Sequence, residues 1–398
     1  MKPQLSRILA FVFLIGVVVL PMHKEATAAI TTSTLKSTTK PTSKTTTAIP
    51  AFIKAAWIPY WKKAEGASTT LANLKYLTEI SPFSYEVNST GSLTDAPRLT
   101  QEPWKSLIEE AKRRNIKIYP SILWLDKIAV ENVLNDKKKR KAHIEEIISE
   151  VTYNKYDGID IDYEGKSAET RVGFSSFLTE LGKELHKTNK KLICTIEART
   201  PIDSRYSVVT QELFKRIEYS NDYKVIGKVC DQVRIMTYDQ SGGDVKLSTE
   251  NSKQLYRPVA DINWVEKVFT LTMRDIPAKK MVAGVATYGY KYEISRDMEG
   301  YITYRRIGSM NYFYADELAR NLNITPTRNV AGELSFSYST STDLSNKTPG
   351  TFKEYLVWYS DATAIADKMR LAKLYGMGGV AIFKVDGAND PRLWDILR

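Results

Sequence analysis

Four carboxylates stand close together in the segment 156–165, which reads YDGIDIDYEG. Asp160, Asp162 and Glu164 alternate with apolar residues, and this period of two is typical of a β-strand whose alternate side chains share one face. Such a face could simply be the solvent-exposed edge of a sheet. Successive side chains on it would lie about 6.5–7 Å apart, so the three carboxylates could instead exchange protons with a bound substrate.

Like charges at this spacing in a secluded site resist simultaneous ionisation, which holds a proton above the free glutamate pKa of about 4.3. Glu164, the outermost of the three, is then a candidate general acid near neutral pH. A carboxylate nucleophile would have to face it across a sugar ring, and Glu197 and Asp239 are candidates. Alternatively, the 2-acetamido oxygen of the substrate could attack, assisted by a neighbouring aspartate and a tyrosine, and Asp162 and Tyr238 fit these roles.

The elements that must position these residues are short β-like runs that alternate with amphipathic stretches. The runs begin at Ala55, Ile80, Ile116, Tyr156, Lys191, Gln232, Lys280 and Gly378. This alternation predicts an α/β fold, a (β/α)8 TIM barrel, with a doubly wound open sheet as the alternative. The stretch 291–357 breaks the alternation and predicts a small α+β insertion after strand seven. The carboxylates should point into the barrel, because charges packed under helices cost several kcal/mol each.

The N-terminal residues have the pattern of a secretory signal. Lys2 and Arg7 precede an apolar run, and small residues follow at Ala26, Ala28 and Ala29. We expect a signal peptide over residues 1–28, a linker rich in Thr, Ser and Lys over residues 29–50, and one catalytic domain over residues 51–398. The apolar run is shorter than the roughly 20 residues of a membrane span, so we expect a secreted or wall-associated protein without stable membrane insertion; an uncleaved anchor is the alternative.

Histidine and cysteine usage limits the chemistry. The only histidines are His23, in the predicted signal, and His143 and His186, in helix-like stretches, so we expect no metal site, no Ser-His-Asp triad and no cofactor. Cys194 and Cys230 adjoin β-like runs, and we expect both to be buried and unpaired, with a single disulfide as the alternative.

The formal net charge of +11 favours contact with acidic surfaces such as cell-wall polymers. The basic run KKKRKAH, which starts at Lys137, has no interleaved aromatic residues. We therefore expect a solvated helix face there and no nucleic-acid binding. We expect a monomer.

Two motifs resemble those of a known enzyme family. DGIDIDYE, residues 157–164, matches the DxxDxDxE signature of glycoside hydrolase family 18, and MTYD, residues 236–239, is similar to the family's M-x-Y-D. WIPYW and SPFSYEVNSTGSL resemble the first two strands of bacterial members. Over about residues 52–398 the chain is thus identified as a member of this family of chitinases and endo-N-acetylglucosaminidases.

The resemblance implies a role for each motif residue. Glu164 would act as general acid and then as base, Asp162 would switch between Asp160 and the acetamido N–H, and Tyr238 would hold the acetamido oxygen. Substrate-binding candidates are Asp157, Met236, Asp239, Phe383, Tyr85, Trp124 and Tyr60. Among these, a structural hydrogen-bond acceptor is the preferred role for Asp157.

The sequence departs from the family pattern at two strands. The family usually has a tryptophan near the end of strand eight, where this chain has Phe383, which covers less of a pyranose ring. The third strand, YPSILW, lacks the usual pair of small residues, which alters the groove near Trp124. Aromatic residues at strand ends could stack on further sugars: Tyr60, Phe83, Tyr85, Trp124, Tyr288 and Trp358.

The resemblance implies an exported retaining glycosidase that cleaves β-1,4 linkages next to N-acetylglucosamine (GlcNAc) in chitin or chitooligosaccharides. Peptidoglycan, in which GlcNAc alternates with an acidic lactyl sugar, is the alternative substrate, and N-glycan cores are a third. A sugar-binding protein without catalysis is the alternative of a different class. Such lectin-like relatives usually lack the acid, whereas Glu164 is present here.

Overall fold

The computed structural model describes residues 51–341 and 352–398, so the predicted signal peptide and linker lie outside the described residues. Its strands are β1 (Ile53–Pro59), β2 (Glu79–Val87), β3 (Leu93–Asp95), β4 (Lys117–Ile118), β5 (Ser121–Trp124), β6 (Gly158–Tyr163), β7 (Lys191–Glu197), β8 (Gln232–Met236), β9 (Met281–Ala286), β10 (Tyr288–Arg296), β11 (Ile302–Asn311), β12 (Thr327–Arg328), β13 (Leu334–Ser341), β14 (Phe352–Tyr359) and β15 (Gly379–Phe383).

The helices lie mainly between these strands. They are α1 (Lys63–Asn73), α2 (Trp104–Arg113), α3 (Lys127–Leu134), α4 (Lys137–Tyr153), α5 (Arg171–His186), α6 (Ile202–Arg205), α7 (Gln211–Arg216), α8 (Tyr223–Val229), α9 (Val245–Glu250), α10 (Ile262–Thr272), α11 (Tyr312–Asn321), α12 (Ala362–Leu374) and α13 (Leu393–Ile396). Within the described ranges, none of them has the length and apolar character needed to cross a membrane.

Eight parallel strands close into a barrel in the order β1-β2-β5-β6-β7-β8-β9-β15, with β15 pairing back to β1. The predicted (β/α)8 barrel is therefore confirmed. After β9, the seventh barrel strand, an antiparallel sheet in the order β11-β10-β14-β13-β12 forms the predicted insertion together with α11. Its small apolar core includes Ala315, Phe336 and Tyr359.

The alternation in β6 determines which of its faces meets the helices. Ile159, Ile161 and Tyr163 are fully buried in the apolar layer outside the barrel. Tyr163 stacks on Phe177 of α5, with 5.5 Å between the ring centroids. The apolar face packs outward under the helices, so the acidic face is left to the interior, as β-strand geometry requires.

The basic run at the start of α4 is helical, as expected, but it is not wholly solvated. Asp136 caps the helix by accepting hydrogen bonds from the N–H groups of Lys138 and Lys139. Arg140 is buried and forms two hydrogen bonds to Glu180 of α5. This part of the run therefore holds two helices together.

Cys194 and Cys230 are buried, but the expectation that they are unpaired is wrong, because they form a disulfide. Cys194 lies in β7 and Cys230 follows α8 just before β8, and these strands are neighbours in the barrel. Their Cα atoms are 6.1 Å apart, within the range of ordinary disulfides. The bond closes a loop across 36 positions, which restricts the unfolded chain.

Candidate active site

The inner face of β6 carries Asp160 and Asp162, and Glu164 follows at the carboxyl end of the strand. The parallel pairing places Ser121 opposite Asp160 and Leu123 opposite Asp162. Asp160 and Asp162 are buried, whereas Glu164 is half-buried at the mouth. The three carboxylates thus form a column from the barrel interior to its surface.

Asp160, at the bottom of this column, is held by donors from four strands. Its Oδ2 accepts hydrogen bonds from Trp57 Nε1 at 2.9 Å and Ser121 Oγ at 2.7 Å. Its Oδ1 accepts from Thr195 Oγ1 at 2.7 Å, and Arg234 Nη1 lies 3.2 Å from Oδ2. These donors fix the orientation of Asp160 and compensate for its burial.

Arg234, on β8, belongs to an interior network that the sequence analysis missed. The side chain is fully buried, and its Nη2 lies 2.7 Å from Glu79 Oε2. The alternation of Gln232, Arg234 and Met236 with Val233 and Ile235 is the signal that could have revealed an inward guanidinium. The positive charge of Arg234 stabilises Asp160, the innermost of the three carboxylates.

Asp162 differs from Asp160 because one of its oxygens is buried without a hydrogen-bond partner, Oδ1. Burial, followed by the nearby charges of Glu164 and Asp160, raises the pKa of Asp162 well above its ordinary value. The group therefore retains its proton to a higher pH than an exposed aspartate does. Its Oδ1 is suited to accept a hydrogen bond from a substrate N–H.

Glu164 has the environment of a general acid. Burial, and then the charge of Glu197, raises the pKa of Glu164, and Asp239 acts in the same direction, while Lys166 opposes them. A raised pKa keeps a proton on this carboxyl group to a higher pH than on an exposed glutamate, as a general acid requires.

Glu197, at the end of β7, clamps the backbone that follows the acid. Its Oε1 accepts a hydrogen bond from the Gly165 N–H at 3.0 Å, and its Oε2 accepts from Asn221 Nδ2 at 2.7 Å. The buried Nζ of Lys166 lies 3.7 Å from Oε2. Burial opposes ionisation of Glu197, but Lys166 and these hydrogen bonds leave its pKa below the ordinary value. Glu197 is thus an anion engaged by protein groups.

Aromatic rings form the wall beside the column. Tyr238 stacks on Phe383, with 5.2 Å between ring centroids, and Phe383 meets Trp57 edge-on at 6.0 Å. Burial, and then the charge of Asp162, raises the pKa of Tyr238 well above its ordinary value, so its hydroxyl is a neutral donor. Phe383 thus lies beside Tyr238 at the carboxyl end of β15, and its contact with a sugar stays a prediction.

These groups open into a cavity of about 300 Å³ at the barrel mouth. Its lining comprises Glu164, Glu197, Ala198, Thr200, Arg205, Met236, Tyr238, Asp239, Gln240, Gly243 and Trp264. The structure therefore brings together five of the predicted site residues, namely Glu164, Glu197, Met236, Tyr238 and Asp239. Arg205, Gln240 and Trp264 were missed, because they come from segments after the strands that carry no motif.

Comparison with known proteins gives the family. The sequence model described as Glycosyl hydrolases family 18 matches residues 27–388, most of the chain. The chain belongs to this family. It is therefore a glycosidase, of a family that acts on GlcNAc-containing polysaccharides.

The relatives include proteins named as glycosylases, as cortical fragment-lytic enzymes and as chitinases. The uncharacterized glycosylase YvbX of Bacillus subtilis is 24% identical over 333 residues, covering 81% of this chain and 84% of the relative. The cortical fragment-lytic enzyme of the same organism is 25% identical over 329 residues, covering 81% and 67%. Chitinase A1 of Niallia circulans is 24% identical over 281 residues, covering 62% and 36%.

Solved structures share the fold. A chitinase from Chromobacterium violaceum has a TM-score of 0.69 at 20% identity, over 87% of this chain and 98% of that one. The spore cortex-lytic enzyme SleL of Bacillus cereus has a TM-score of 0.66 at 20% identity, over 87% and 73%. Both the family and the barrel predicted from the sequence are thus confirmed.

Two aromatic candidates of this family 18 chain lie outside the mouth. Tyr85 is buried and donates a hydrogen bond to Glu150 of α4 at 3.0 Å. The pairing of β2 with β5 is irregular between Phe83 and Tyr85, which breaks the expected alternation. Trp124 is buried on the outer face of β5, edge-on to Tyr163. The prediction that either contacts substrate is wrong.

Asp157 lies before the amino end of β6, at the opposite end of the barrel from Glu164. It accepts hydrogen bonds from the Ile118 N–H at 3.0 Å and from Lys117 Nζ at 2.9 Å. Its inclusion among the substrate-binding candidates is therefore wrong, and its contacts are those of a structural acceptor.

Among the remaining aromatic candidates, Tyr288 and Trp358 lie on strands of the insertion sheet, whereas Tyr60 lies at the barrel mouth. Tyr288 is buried and donates a hydrogen bond to Asp239 at 2.9 Å, and Trp358 is fully buried and donates to Glu333 at 2.9 Å. Tyr60, just beyond β1, is half-buried at the barrel mouth and donates to Glu86. Its neighbour Trp61 is 49% exposed and meets Phe83 edge-on, which the sequence analysis missed.

Proposed function

We propose that this protein is an exported, retaining β-N-acetylglucosaminidase in which the acetamido group of the substrate is the nucleophile. The observation that carries the proposal is the inner face of β6. There, Asp162 has an unpartnered buried oxygen and lies between an anchored Asp160 and an acid, Glu164, whose pKa is raised. Substrate-assisted cleavage requires this combination of an acid and an acceptor for an amide N–H.

The reaction proceeds in two steps. In the first, the acetamido oxygen attacks C1 of its own sugar, the glycosidic bond breaks, and Glu164 donates its proton to the leaving oxygen. Asp162 accepts a hydrogen bond from the acetamido N–H, and the Tyr238 hydroxyl donates one to the acetamido oxygen. In the second, the Glu164 carboxylate removes a proton from water, which attacks C1 and opens the oxazolinium ring. Two inversions give net retention.

The environment of Glu197 supports the acetamido group over a carboxylate as nucleophile. Both oxygens of Glu197 accept hydrogen bonds from protein groups, and Lys166 lies beside it. Asp239 accepts hydrogen bonds from the hydroxyls of Tyr288 and Tyr290. An attack by Glu197 would break one of its contacts, and both hydrogen bonds to Asp239 hold its Oδ1. Asp162 Oδ1, in contrast, has no partner.

Wall glycan is the substrate that we propose. In the sequence comparison, relatives named as cortical fragment-lytic enzymes match over 81–87% of this chain and those named as chitinases over 59–64%. The net charge of +11 favours an acidic polymer. The disulfide suits an oxidising compartment, which supports export. Chitin oligomers are the second candidate, supported by the named relative Chitinase A1 and by the shared fold of the solved chitinases.

The test is mass spectrometry of products after the protein is incubated separately with purified peptidoglycan and with chitin oligomers. Glu164→Gln is the control. We expect peptidoglycan fragments that end in reducing GlcNAc, formed initially as the β-anomer. If products formed from chitin oligomers alone, chitin would replace wall glycan as the proposed substrate. No Glu164-dependent product from either polymer would overturn the proposal in favour of a sugar-binding role.

A further inference from the structure

A second cavity, of about 560 Å³, lies beside the catalytic one and shares Arg205 with it. We call it the basic cavity, and its charged lining consists of Lys166, Arg205, Arg216 and Glu218. Most of its wall comes from the segment between β7 and α8. The family motifs quoted above lie outside this segment.

The charges of the basic cavity favour an anion. Arg205 and Arg216 are exposed, and no ion pair joins either of them to a residue that the structure describes. Lys166 is committed to the Tyr163 carbonyl oxygen and to Glu197. Glu218 is the one opposing charge in this lining. A guanidinium group presents a planar pair of donors that matches a carboxylate.

The position of Arg205 indicates which part of a substrate it meets. Arg205 lines the catalytic cavity together with Glu164. The general acid protonates the oxygen that departs with the leaving sugar, so this sugar lies within reach of side chains beside Glu164. Both sugars of wall glycan carry an acetamido group, but in the function proposed above the sugar whose acetamido group attacks is GlcNAc. In wall glycan the leaving sugar is then the one with the lactyl carboxylate, whereas in chitin it is uncharged.

We propose that Arg205, with Arg216 beside it, binds the carboxylate of the leaving sugar and thereby selects wall glycan over chitin. The proposal rests on the function proposed above and adds a residue that determines substrate preference. It requires no chemistry beyond an ion pair, which is expected to weaken as salt concentration rises.

The experiment measures binding separately from catalysis. Glu164→Gln protein is titrated with peptide-free strands of alternating GlcNAc and N-acetylmuramic acid, and with the same strands after methyl esterification of the lactyl carboxylates. We expect the free acid to bind about 5-fold more tightly at low salt, the size of one partly exposed ion pair. Adding Arg205→Gln should remove most of this difference, and Arg205→Lys should retain part of it.

Arg274→Gln is the matched control. Arg274 is also exposed and without an ion pair to a described residue, but it lies between α10 and β9, before the amino end of that strand. This variant should keep the full preference for the free acid.

Equal affinities for acid and ester in Glu164→Gln protein would overturn the inference, as would an unchanged preference after Arg205→Gln. A preference that depends on Arg205 would support it, even if wild-type protein released no product. Failure of the proposed glycosidase and failure of this carboxylate site are thus distinguished.

Discussion

Two buried carboxylates in this molecule, Glu333 and Asp162, have opposite surroundings. Glu333 is fully buried and accepts hydrogen bonds from the Val259 N–H at 2.9 Å and from Trp358 Nε1 at 2.9 Å. Lys368 Nζ lies 3.2 Å from its Oε1. Asp162 is 3% exposed, yet its Oδ1 has no partner. Glu333 is thus part of the scaffold, whereas Asp162 retains an acceptor that only a substrate would use.

The positions of the two groups explain the difference. Glu333 lies between β12 and β13 and joins the insertion to the segment before α10 and to α12. Asp162 projects into a barrel whose mouth must admit a sugar chain. An unsatisfied buried acceptor costs about 1–3 kcal/mol, which the rest of the fold must offset. The comparison therefore predicts that stability and activity respond in opposite ways at the two sites.

Replacement of the acid should have the largest effect. Glu164→Gln keeps the shape of the side chain but cannot donate a proton to the leaving oxygen, so we expect kcat to fall by about 10²–10⁴-fold. The midpoint of thermal unfolding should not fall, because the structure records no ion pair between Glu164 and a described residue and burial disfavours the ionised carboxylate. Hydrolysis rates and a thermal melt on the same preparation check both parts. Substantial residual activity would remove Glu164 from the role of acid.

Replacement of Glu333, whose carboxylate has hydrogen-bond partners, should affect stability rather than activity. Glu333→Ala leaves Lys368 without its buried partner and removes the acceptor of two backbone N–H groups, so we expect unfolding to become easier by about 3–5 kcal/mol. Urea denaturation measures this change, and kcat of the protein that remains folded should match the wild type. A normal unfolding free energy combined with lost activity would contradict the comparison.

The difference between Asp162 and Glu333 could be predicted from the sequence only in part. The inward column at Asp160, Asp162 and Glu164 follows from a period of two, which is a local property of one strand. The unpartnered state of Asp162 depends on neighbours from other strands. Likewise, the bonds of Glu333 join segments about 75 residues apart, and no local pattern specifies them.

The predictions for Tyr85, Trp124 and the cysteines were wrong for different structural reasons. Tyr85 was misplaced because an irregular pairing next to Phe83 changes the alternation, which is a property of two strands. Trp124 was misplaced even though its strand alternates, because Ser121 faces inward and Trp124 must then face outward. The disulfide depends on the adjacency of β7 and β8, which follows once the barrel is accepted. Arg205 is the last residue of the short helix α6, in the segment between β7 and α8 whose course the sequence does not reveal.

Asp162→Asn tests the cost of the unpartnered acceptor. The raised pKa of Asp162 means that the folded state binds its proton more tightly than the unfolded state, so stability falls as the pH rises above the ordinary value of 3.8. The substitution should remove this fall. We expect kcat to decrease by about 10–100-fold, while stability at neutral pH increases by up to about 1–3 kcal/mol.

The measurement is urea denaturation between pH 4 and pH 8, with wild-type protein and Asp160→Asn as references. Asp160 is fully bonded, so its substitution should destabilise the fold. Identical pH profiles for wild-type and Asp162→Asn protein would show that Asp162 carries no such cost.

Glu197→Gln should produce a smaller, pH-dependent change. Burial, and then the charge of Glu197, raises the pKa of Glu164, so removing that charge should lower it. Glu164 then loses its proton at lower pH. The basic limb of the kcat/KM profile should therefore move to lower pH. Glutamine can still accept the hydrogen bond from the Gly165 N–H, so activity at acidic pH should be largely retained.

Glu197→Ala is the companion variant, because it removes both the charge and the acceptor of the Gly165 N–H. It should show the same shift of the basic limb and, in addition, a lower plateau of kcat. A basic limb that stays in place in both variants would exclude an electrostatic role for Glu197.

Phe383→Trp should have the smallest effect and addresses the wall of the site rather than its charges. Phe383 stacks on Tyr238 and meets Trp57 edge-on, and an indole would extend the apolar surface under a sugar ring. We expect KM for GlcNAc polymers to fall by about 2- to 5-fold, the lower part of the range for an added aromatic contact, with kcat nearly unchanged. Phe383→Leu should raise KM, because leucine removes the aromatic surface that a sugar ring could contact. If instead kcat fell with KM unchanged, Phe383 would act by positioning Tyr238 rather than by contacting the sugar, because their rings are in direct contact.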